Sequence, residues 1–356
     1  MSLTETIPQI TSPGTPPQYQ YRSNVVPRLQ WNYNSGYCGE TSFICAGLSF
    51  GQYCSQWTAR ELASPGIWQI QPDSQLLVGS GNDMAAARRM RLQASGFYSV
   101  SHDNTPELIV WAKSHLVAGH VPIIGVFING DFLENWTSLD DGDQQYDHIV
   151  PILGFDTALP YVTSAGQYLP GDWITLSDNG LYGPTGDPPA YPFLYSYEVD
   201  SFQGTREQAN QADGLMYTLS NTPPNYAIAI EGVLDLDGVC VPVSLSCSDN
   251  FEPAPTQMQN PPAGLSGGPF ADQPPTPMDI ELAVTVELPD QTVDYNLYMY
   301  DHFDAVPVAG FNAAAGNAVQ RWQIPAGSGP TYQVVPPIAT TSDQTRVFRA
   351  VPASAP

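Results

Sequence analysis

The segment LQWNYNSGYCGETSFICAGLSFG, residues 29–51, decides the fold of the first half of the chain. It begins as a polar loop rich in Asn, Ser and Gly and continues with an apolar pattern from Phe43 to Leu48. That spacing predicts a helix that begins near Cys38 and ends near Gly51. A thiol in the first turn of a helix is favoured as the thiolate, because the helix N-terminus attracts negative charge. Cys38 is therefore a candidate nucleophile.

Two apolar, β-prone segments further along the chain carry groups that could activate this thiol. His148 opens the strand-length run HIVPILGF, and Asp178 and Asn179 follow the run WITLS. An imidazole can take the thiol proton, and a carboxylate or amide can orient the ring. Adjacent strand ends would bring these side chains together, with Asp178 or Asn179 as the orienting group. Gln30, upstream of the thiol, is the candidate amide donor to an oxyanion, together with the backbone N–H of Cys38.

The strings LQWNYNSGYCGETSF, DHIVPILGFD and WITLSDNG, in this order, resemble papain-like cysteine peptidases, and most of all the peptidases that process bacteriocin leaders. The segment ELIVWAKSHLVAGHVPIIGVFI is similar to that group's helix, Gly turn and buried strand before the histidine. The resemblance covers residues 28–180. It implies an α+β papain-like domain with a Cys–His–Asp or Cys–His–Asn triad and a glutamine in the oxyanion hole. Carried over, these residues are Cys38, His148, Asp178 (with Asn179 as the alternative) and Gln30.

Two features of this chain depart from that group. The group usually has Cys-Gly-Pro at the nucleophile, and this chain has Cys-Gly-Glu, with Glu40 in the third position. Gln30 also lies a residue or two further upstream of the cysteine than is usual.

Composition divides the chain into four predicted segments. Residues 1–27, rich in Pro, Thr and Gln, indicate an extended or disordered arm. Residues 28–247 carry the predicted hydrolase domain. Residues 248–277 indicate a linker, because Pro and Gly dominate and apolar periodicity is missing. Alternation in DIELAVTVELP and four further β-prone runs predict an all-β sandwich over residues 278–352.

Three further elements are predicted before the candidate histidine. Residues 81–95 and 105–118 have helical patterns, and the second begins with Thr and Pro and is followed by Gly119. The run VPIIGVFI, residues 121–128, has the length and apolarity of a buried strand.

The charge balance limits the partners of the protein. Eleven Lys and Arg residues face 35 Asp and Glu residues, for a formal net charge of -24. Such acidity repels phosphate backbones, so no nucleic-acid partner is expected. No run approaches the roughly 20 apolar residues of a membrane helix, so no membrane partner is expected. The expected partner is a peptide or protein substrate, and no cofactor is expected.

The remaining cysteines and histidines have ordinary predicted roles. Five cysteines are too few for a disulfide scaffold, although Cys240 and Cys247 could pair in an oxidising compartment. His115 and His120 flank the end of a predicted helix, where histidine suits the dipole. No Cys and His spacing predicts zinc. The acidic segment 139–147 lacks the full ligand pattern of a calcium loop, and a solvated loop is the expectation.

Three functions fit these observations. The first is a cysteine peptidase, secreted or extracellular, or cytoplasmic because the start as written has no signal-peptide pattern. The second is a transglutaminase-like acyl transferase or ligase with the same triad. The third is a non-catalytic binding or structural protein with a degenerate peptidase fold.

Overall fold

The fold is described from a computed structural model, which covers residues 17–79, 81–98, 104–129, 145–181, 191–211, 215–265 and 268–356. The architecture is mixed α and β, with several antiparallel sheets. Among the described residues, every helix is too short or too polar to cross a membrane.

The described helices are mostly short. They are α1 (Cys38–Ser49), α2 (Gln56–Ala63), α3 (Asn82–Arg89), α4 (Thr105–Val117), α5 (Tyr161–Ala165) and α6 (Arg206–Asn210). The strands are β1 (Tyr19–Arg22), β2 (Gln52–Tyr53), β3 (Leu92–Tyr98), β4 (Val121–Ile128), β5 (His148–Thr157), β6 (Trp173–Ser177), β7 (Leu194–Glu198), β8 (Gln203–Gly204), β9 (Tyr217–Ser220), β10 (Tyr226–Val233), β11 (Val243–Cys247), β12 (Asp279–Glu287), β13 (Tyr295–Tyr300), β14 (Gln320–Ile324), β15 (Thr331–Gln333), β16 (Ile338–Thr341) and β17 (Arg346–Pro352).

Two compact units divide the chain, and each is made of separate segments. Unit 1 contains residues 1–27, 77–81 and 95–231. Unit 2 contains residues 28–76, 82–94 and 232–356. The candidate thiol therefore lies in unit 2, and the candidate imidazole lies in unit 1.

The sheet of unit 1 runs in the order β3-β10-β4-β5-β6-β7, and β1 also pairs with β5. Every residue of β4 and β5 is buried, as expected for apolar runs without alternation. Gly154 is needed where β1 pairs with β5, because a Cβ there would lie 2.2 Å from the carbonyl oxygen of Tyr21. Residues 19–22, within the predicted arm, therefore form an ordered edge strand of this sheet.

Helix α4 packs on this sheet through Leu108, Ala112 and Leu116, which belong to the apolar core of unit 1. The same helix carries the one lysine of the chain, Lys113, which is buried. Its Nζ lies 2.6 Å from Asp172 Oδ2, one residue before β6. This ion pair ties α4 to the start of the strand that leads to Asp178.

Within the described part of unit 2, two antiparallel sheets run in the orders β11-β12-β15, with β16 also on β12, and β14-β13-β17-β2. The predicted alternation in β12 is confirmed, since Ile280, Leu282, Val284 and Val286 are buried and their neighbours along the strand are exposed or partly exposed. Strands β2 and β11 come from the segment predicted as the hydrolase domain and pair with strands of the segment predicted as the sandwich.

The predicted helix over residues 81–95 is wrong in its second half. Helix α3 ends at Arg89, and Arg91 has a φ of 57°. A residue in the left-handed region cannot continue a right-handed helix. The chain therefore turns and enters β3 at Leu92.

Candidate functional site

The imidazole of His148 lies in unit 1 at the first residue of β5, opposite Val126 of β4. The residue is 1% exposed. Its Nε2 lies 2.9 Å from the backbone carbonyl oxygen of Asp178. A carbonyl oxygen only accepts hydrogen bonds, so Nε2 carries the ring proton and donates it. Nδ1 is therefore the atom of this ring that can accept a proton.

Asp178 is held in the turn after β6 by both of its carboxylate oxygens. Oδ1 accepts a hydrogen bond from the backbone N–H of Gly180 at 2.8 Å. Oδ2 accepts one from the hydroxyl of Tyr217 at 3.0 Å. Burial raises the pKa of Tyr217 well above its usual value, so this hydroxyl keeps its proton for the bond. The side chain of Asp178 thus fixes the turn, and its carbonyl meets His148.

Asn179, the alternative orienting residue, acts on the backbone of the same strand. It has a φ of 57°, which asparagine tolerates better than most residues. Its Nδ2 donates to the carbonyl oxygen of Ile149 at 3.2 Å. Both sequence candidates therefore lie at His148: Asp178 holds the ring through its carbonyl, and Asn179 holds the next residue of β5.

Burial lowers the pKa of His148 from 6.5 to about 4, and the hydrogen bond to Asp178 only partly opposes this. The charged ring is disfavoured, because the buried site cannot replace the water that solvates an imidazolium. At neutral pH the ring is neutral, as a general base must be.

This pKa predicts how stability depends on pH. His148 takes up a proton below pH 6.5 in the unfolded chain but only near pH 4 in the folded chain. Acid therefore favours the unfolded chain between these values. The stability of the folded protein is unaffected by this group above pH 6.5 and falls as the pH drops from 6.5 to 4. We expect the free energy of unfolding of the wild type to fall by about 3 kcal/mol over this range relative to His148→Gln. Urea titrations of both proteins at successive pH values measure the difference. A difference that stays flat across this range would contradict the assignment.

The thiol of Cys38 lies in unit 2 and is the first residue of α1, where it is partly exposed. Residues 34–37 lead into it, and we call them the nucleophile loop because Cys38 is the candidate nucleophile. Asn34, Ser35 and Gly36 have φ values of 52°, 64° and 88°. Three successive left-handed residues turn the chain sharply into the helix, which explains why Asn and Gly stand there. The thiol is thus placed at the end of the helix where first-turn N–H groups lack intrahelical partners.

Arg60, on α2, holds the carbonyl groups of the nucleophile loop. Its Nη1 donates to the carbonyl oxygen of Asn34 at 2.9 Å, and its Nη2 donates to that of Gly36. Its Nε donates to Glu40 Oε1 at 2.6 Å, and both side chains are about fully buried. The guanidinium also lies 3.6 Å from the ring centroid of Tyr37. Glu40, which replaces the proline of the resembled group, is therefore the counter-charge of the arginine that shapes the loop.

The Pro- and Gly-rich segment 248–277 also supports the nucleophile loop. Its described residues form no helix or strand, as predicted. The backbone N–H of Ala271 donates to Asn34 Oδ1 at 2.9 Å, and Asn34 Nδ2 donates back to the carbonyl oxygen of Ala271 at 2.9 Å. The N–H of Asn34 donates to the carbonyl oxygen of Pro269 at 2.9 Å. This linker is therefore anchored beside the loop that precedes Cys38.

Gln30 lies beside the same loop and is buried. A Cβ placed on Gly36 would lie 3.8 Å from Gln30 Nε2. The side chain of Gln56 holds the backbone on both sides of it: Gln56 Oε1 accepts from the N–H of Trp31 at 2.9 Å, and Gln56 Nε2 donates to the carbonyl oxygen of Leu29 at 3.0 Å. Gln30 therefore lies close to the loop before Cys38, where its Nε2 donates to Asn32 Oδ1 at 3.4 Å.

Burial raises the pKa of three other thiols in the chain. Burial raises the pKa of Cys45 to about 12 and that of Cys54 further, so both stay protonated and inert at neutral pH. Burial likewise raises the pKa of Cys240. Cys240 and Cys247, which could pair in an oxidising compartment, are free thiols in this structure.

Sequence reasoning missed the residues that hold the site residues in place. Tyr217 and Arg60 belong to no recognisable motif: Tyr217 contacts Asp178 across 39 positions, and Arg60 contacts Asn34 across 26 positions. The acidic residue in the first turn of α1 was a usable signal, since a buried carboxylate demands a cation nearby. The candidate calcium segment 139–147 lies mostly outside the described residues.

Comparison with known proteins gave no match to a family model, to a curated protein or to a solved structure. The function is therefore inferred from the residues themselves.

Proposed function

We propose that the chain is a papain-like cysteine peptidase in which Cys38 is the nucleophile and His148 is its general base. The observation that carries the proposal is the hydrogen bond from His148 Nε2 to the carbonyl oxygen of Asp178, which leaves Nδ1 as a proton acceptor on a rigid, buried ring. The position of Cys38 as the first, partly exposed residue of a helix supports it.

The proposed reaction has two halves. His148 Nδ1 takes the thiol proton as Cys38 Sγ attacks the peptide carbonyl carbon, and the carbonyl oxygen becomes an oxyanion that Gln30 Nε2 and the N–H of Cys38 stabilise. The C–N bond then breaks, His148 returns the proton to the leaving nitrogen, and a thioester remains. Water, deprotonated by His148, attacks the thioester, and Sγ leaves as the thiol. Asp178 and Asn179 act as positioning residues.

The rate of Cys38 alkylation by iodoacetamide between pH 4 and pH 9 tests this pair. If His148 holds the thiol proton, the alkylation rate should stay high well below pH 7 and fall only where the Cys38 thiolate itself takes up a proton from solvent. In His148→Gln the thiol should titrate near the ordinary value of about 8.5, and the rate at pH 6 should fall on the order of 100-fold. Mass spectrometry assigns the label to Cys38.

Cys240→Ser serves as the control, because it removes a thiol whose burial raises its pKa and should leave the profile unchanged. Equal profiles for the wild type and His148→Gln, both centred near pH 8.5, would reject the proposed pair and favour a binding protein. Adding a primary amine during peptide turnover identifies the acceptor: amide products would point to acyl transfer, and hydrolysis alone to a peptidase.

A further inference from the structure

A cluster of two histidines and one glutamate lies in unit 1, separate from the residues described above. Each of His115, His120 and Glu231 offers one ligand atom, and these atoms lie within 4.8 Å of one another. His115 Nδ1 and His120 Nδ1 are 2.8 Å apart, and His115 Nδ1 is 4.0 Å from Glu231 Oε1. All three residues are partly exposed, so solvent and ions reach them.

The end of α4 brings the two histidines together. Gly119 has a φ of 83°, its N–H donates to the carbonyl oxygen of Leu116, and the N–H of His120 donates to that of His115. These two bonds define a Schellman motif, in which the side chains of the first and last residue meet. That contact is commonly hydrophobic. Here it joins two imidazoles through their Nδ1 atoms.

The sheet supplies the carboxylate. Strands β10 and β4 are antiparallel with Ile230 opposite Val121, so the same register places Glu231 opposite His120. The hydroxyl of Ser95, on the neighbouring strand β3, donates to Glu231 Oε1 at 2.6 Å. A hydrogen bond of this kind orients a metal-binding carboxylate. The ring of Trp111 meets that of His115 edge-on, with 4.4 Å between centroids, and gives the cluster an apolar wall.

We propose that His115, His120 and Glu231 form a binding site for a divalent transition-metal ion, with Zn²⁺ as the best fit to two imidazoles and one carboxylate. Three protein ligands with an open fourth position are typical of reactive zinc sites. Ligand nitrogens at 2.0–2.1 Å from zinc would lie roughly 3.3 Å apart, so the rings need to separate by about half an ångström.

The contact between the two rings is compatible with a metal ion. Two neutral rings share one hydrogen bond between their Nδ1 atoms, so one Nδ1 carries a proton. Metal binding moves that proton to Nε2 of the same ring, and both Nδ1 lone pairs then face the ion. No net proton release from this pair is required at neutral pH.

The sequence alone does not predict this site, because the third ligand lies 111 residues after His120. Histidine near the end of a helix is favourable for the helix dipole and does not by itself indicate a metal ion. Only the register of β10 against β4 adds the carboxylate.

Titration of the full-length chain with Zn²⁺ in a calorimeter tests the proposal. We expect one ion per chain at this site and an affinity that falls at least about 100-fold in His115→Ala and in His120→Ala. Glu231→Gln should weaken binding by at least about 10-fold while keeping the volume of the side chain, and Ser95→Ala by about 10-fold. Circular dichroism without metal establishes that each variant is folded.

The control is His302→Ala, because His302 and Asp301 form an exposed pair elsewhere in the chain with a 2.6 Å contact. Zinc affinity should not change in this variant. Co²⁺ substitution distinguishes the ligands: d–d bands without a thiolate charge-transfer band support the proposed site, and a thiolate band retained in His115→Ala would assign the ion to a cysteine instead. Absence of one-to-one binding, or equal affinity in the wild type, His115→Ala and Glu231→Gln, would overturn the proposal. None of these readouts depends on peptidase activity.

Discussion

Replacing Cys38 with serine should lower kcat/KM for peptide hydrolysis by at least about 10⁴-fold. Serine nearly conserves the volume of the side chain, so the nucleophile loop keeps its shape. The hydroxyl is far less acidic than a thiol, so the imidazole cannot hold its proton, and a neutral hydroxyl is a much weaker nucleophile than a thiolate. Hydrolysis of a peptide library, followed by mass spectrometry, measures the loss and also reveals the preferred bond.

Two further variants make this result specific. Cys240→Ser should keep the wild-type rate, since this thiol has no part in the proposed reaction. Gln30→Ala should retain its alkylation profile but lose roughly 10²- to 10³-fold in kcat, because it removes one donor to the oxyanion and leaves the Cys–His pair intact. A Cys38→Ser protein that keeps more than a tenth of the wild-type rate would show that another residue attacks the substrate.

Glu40→Gln should cost about 3–5 kcal/mol in the free energy of unfolding, the usual effect of removing one partner of a buried ion pair. Both side chains of the Glu40–Arg60 pair are at most 1% exposed. The glutamine still offers an oxygen to Arg60 Nε and to the N–H of Leu76, which Glu40 Oε1 bonds at 2.6 and 3.0 Å. What disappears is the negative charge, and the guanidinium remains buried without it. Urea unfolding monitored by tryptophan fluorescence measures the change.

Asp304→Asn is the matched control, also an acid-to-amide change in unit 2. Asp304 lies 3.7 Å from Arg91, but its side chain is 97% exposed. Exposed pairs contribute little, so this variant should lose less than about 1 kcal/mol. A double-mutant cycle with Glu40→Gln and Arg60→Met should give a strong coupling energy, because the two residues share one network. Equal losses in Glu40→Gln and Asp304→Asn would mean that the buried pair does not hold the loop.

This ion pair gives a physical reason for the Cys-Gly-Glu sequence. In the resembled group a proline follows Cys-Gly, and here Glu40 holds Arg60, which in turn holds the carbonyl groups of Asn34 and Gly36. The substitution therefore need not indicate a degenerate site. It indicates that an ion pair shapes the nucleophile loop of this chain.

Elements with strong local signals were predictable. Helix α1 and strands β4 and β5 lie where periodicity and apolar length placed them, with starts at Cys38, Val121 and His148. The end of α3 was not predictable from its pattern. The helix-like sequence pattern continues to Ser95, but the helix ends at Arg89 and Arg91 adopts a left-handed conformation. Long-range pairing in β3 outweighs local propensity there.

The Pro- and Gly-rich segment 248–277 illustrates a second limit. Its composition predicts the absence of regular structure, and its described residues have none. Composition carries no information about anchoring. The carboxylate of Glu252, from this segment, accepts a 3.1 Å hydrogen bond from the N–H of Gln56. The backbone N–H and carbonyl oxygen of Ala271 both form hydrogen bonds with the side-chain amide of Asn34. An irregular segment becomes part of a core when its backbone groups find buried partners.

The sequence by itself determined the candidate nucleophile and base. Helix starts, buried strands and their terminal residues can be recognised from local patterns of three to ten residues. Only the tertiary structure decided what surrounds them: the carbonyl of Asp178 on His148, the Arg60 contacts to the nucleophile loop, and the Glu231 carboxylate beside two histidines. These contacts join residues that are 23 to 116 positions apart. Their geometry depends on strand register and helix packing. Register and packing are determined jointly by side chains from the whole chain.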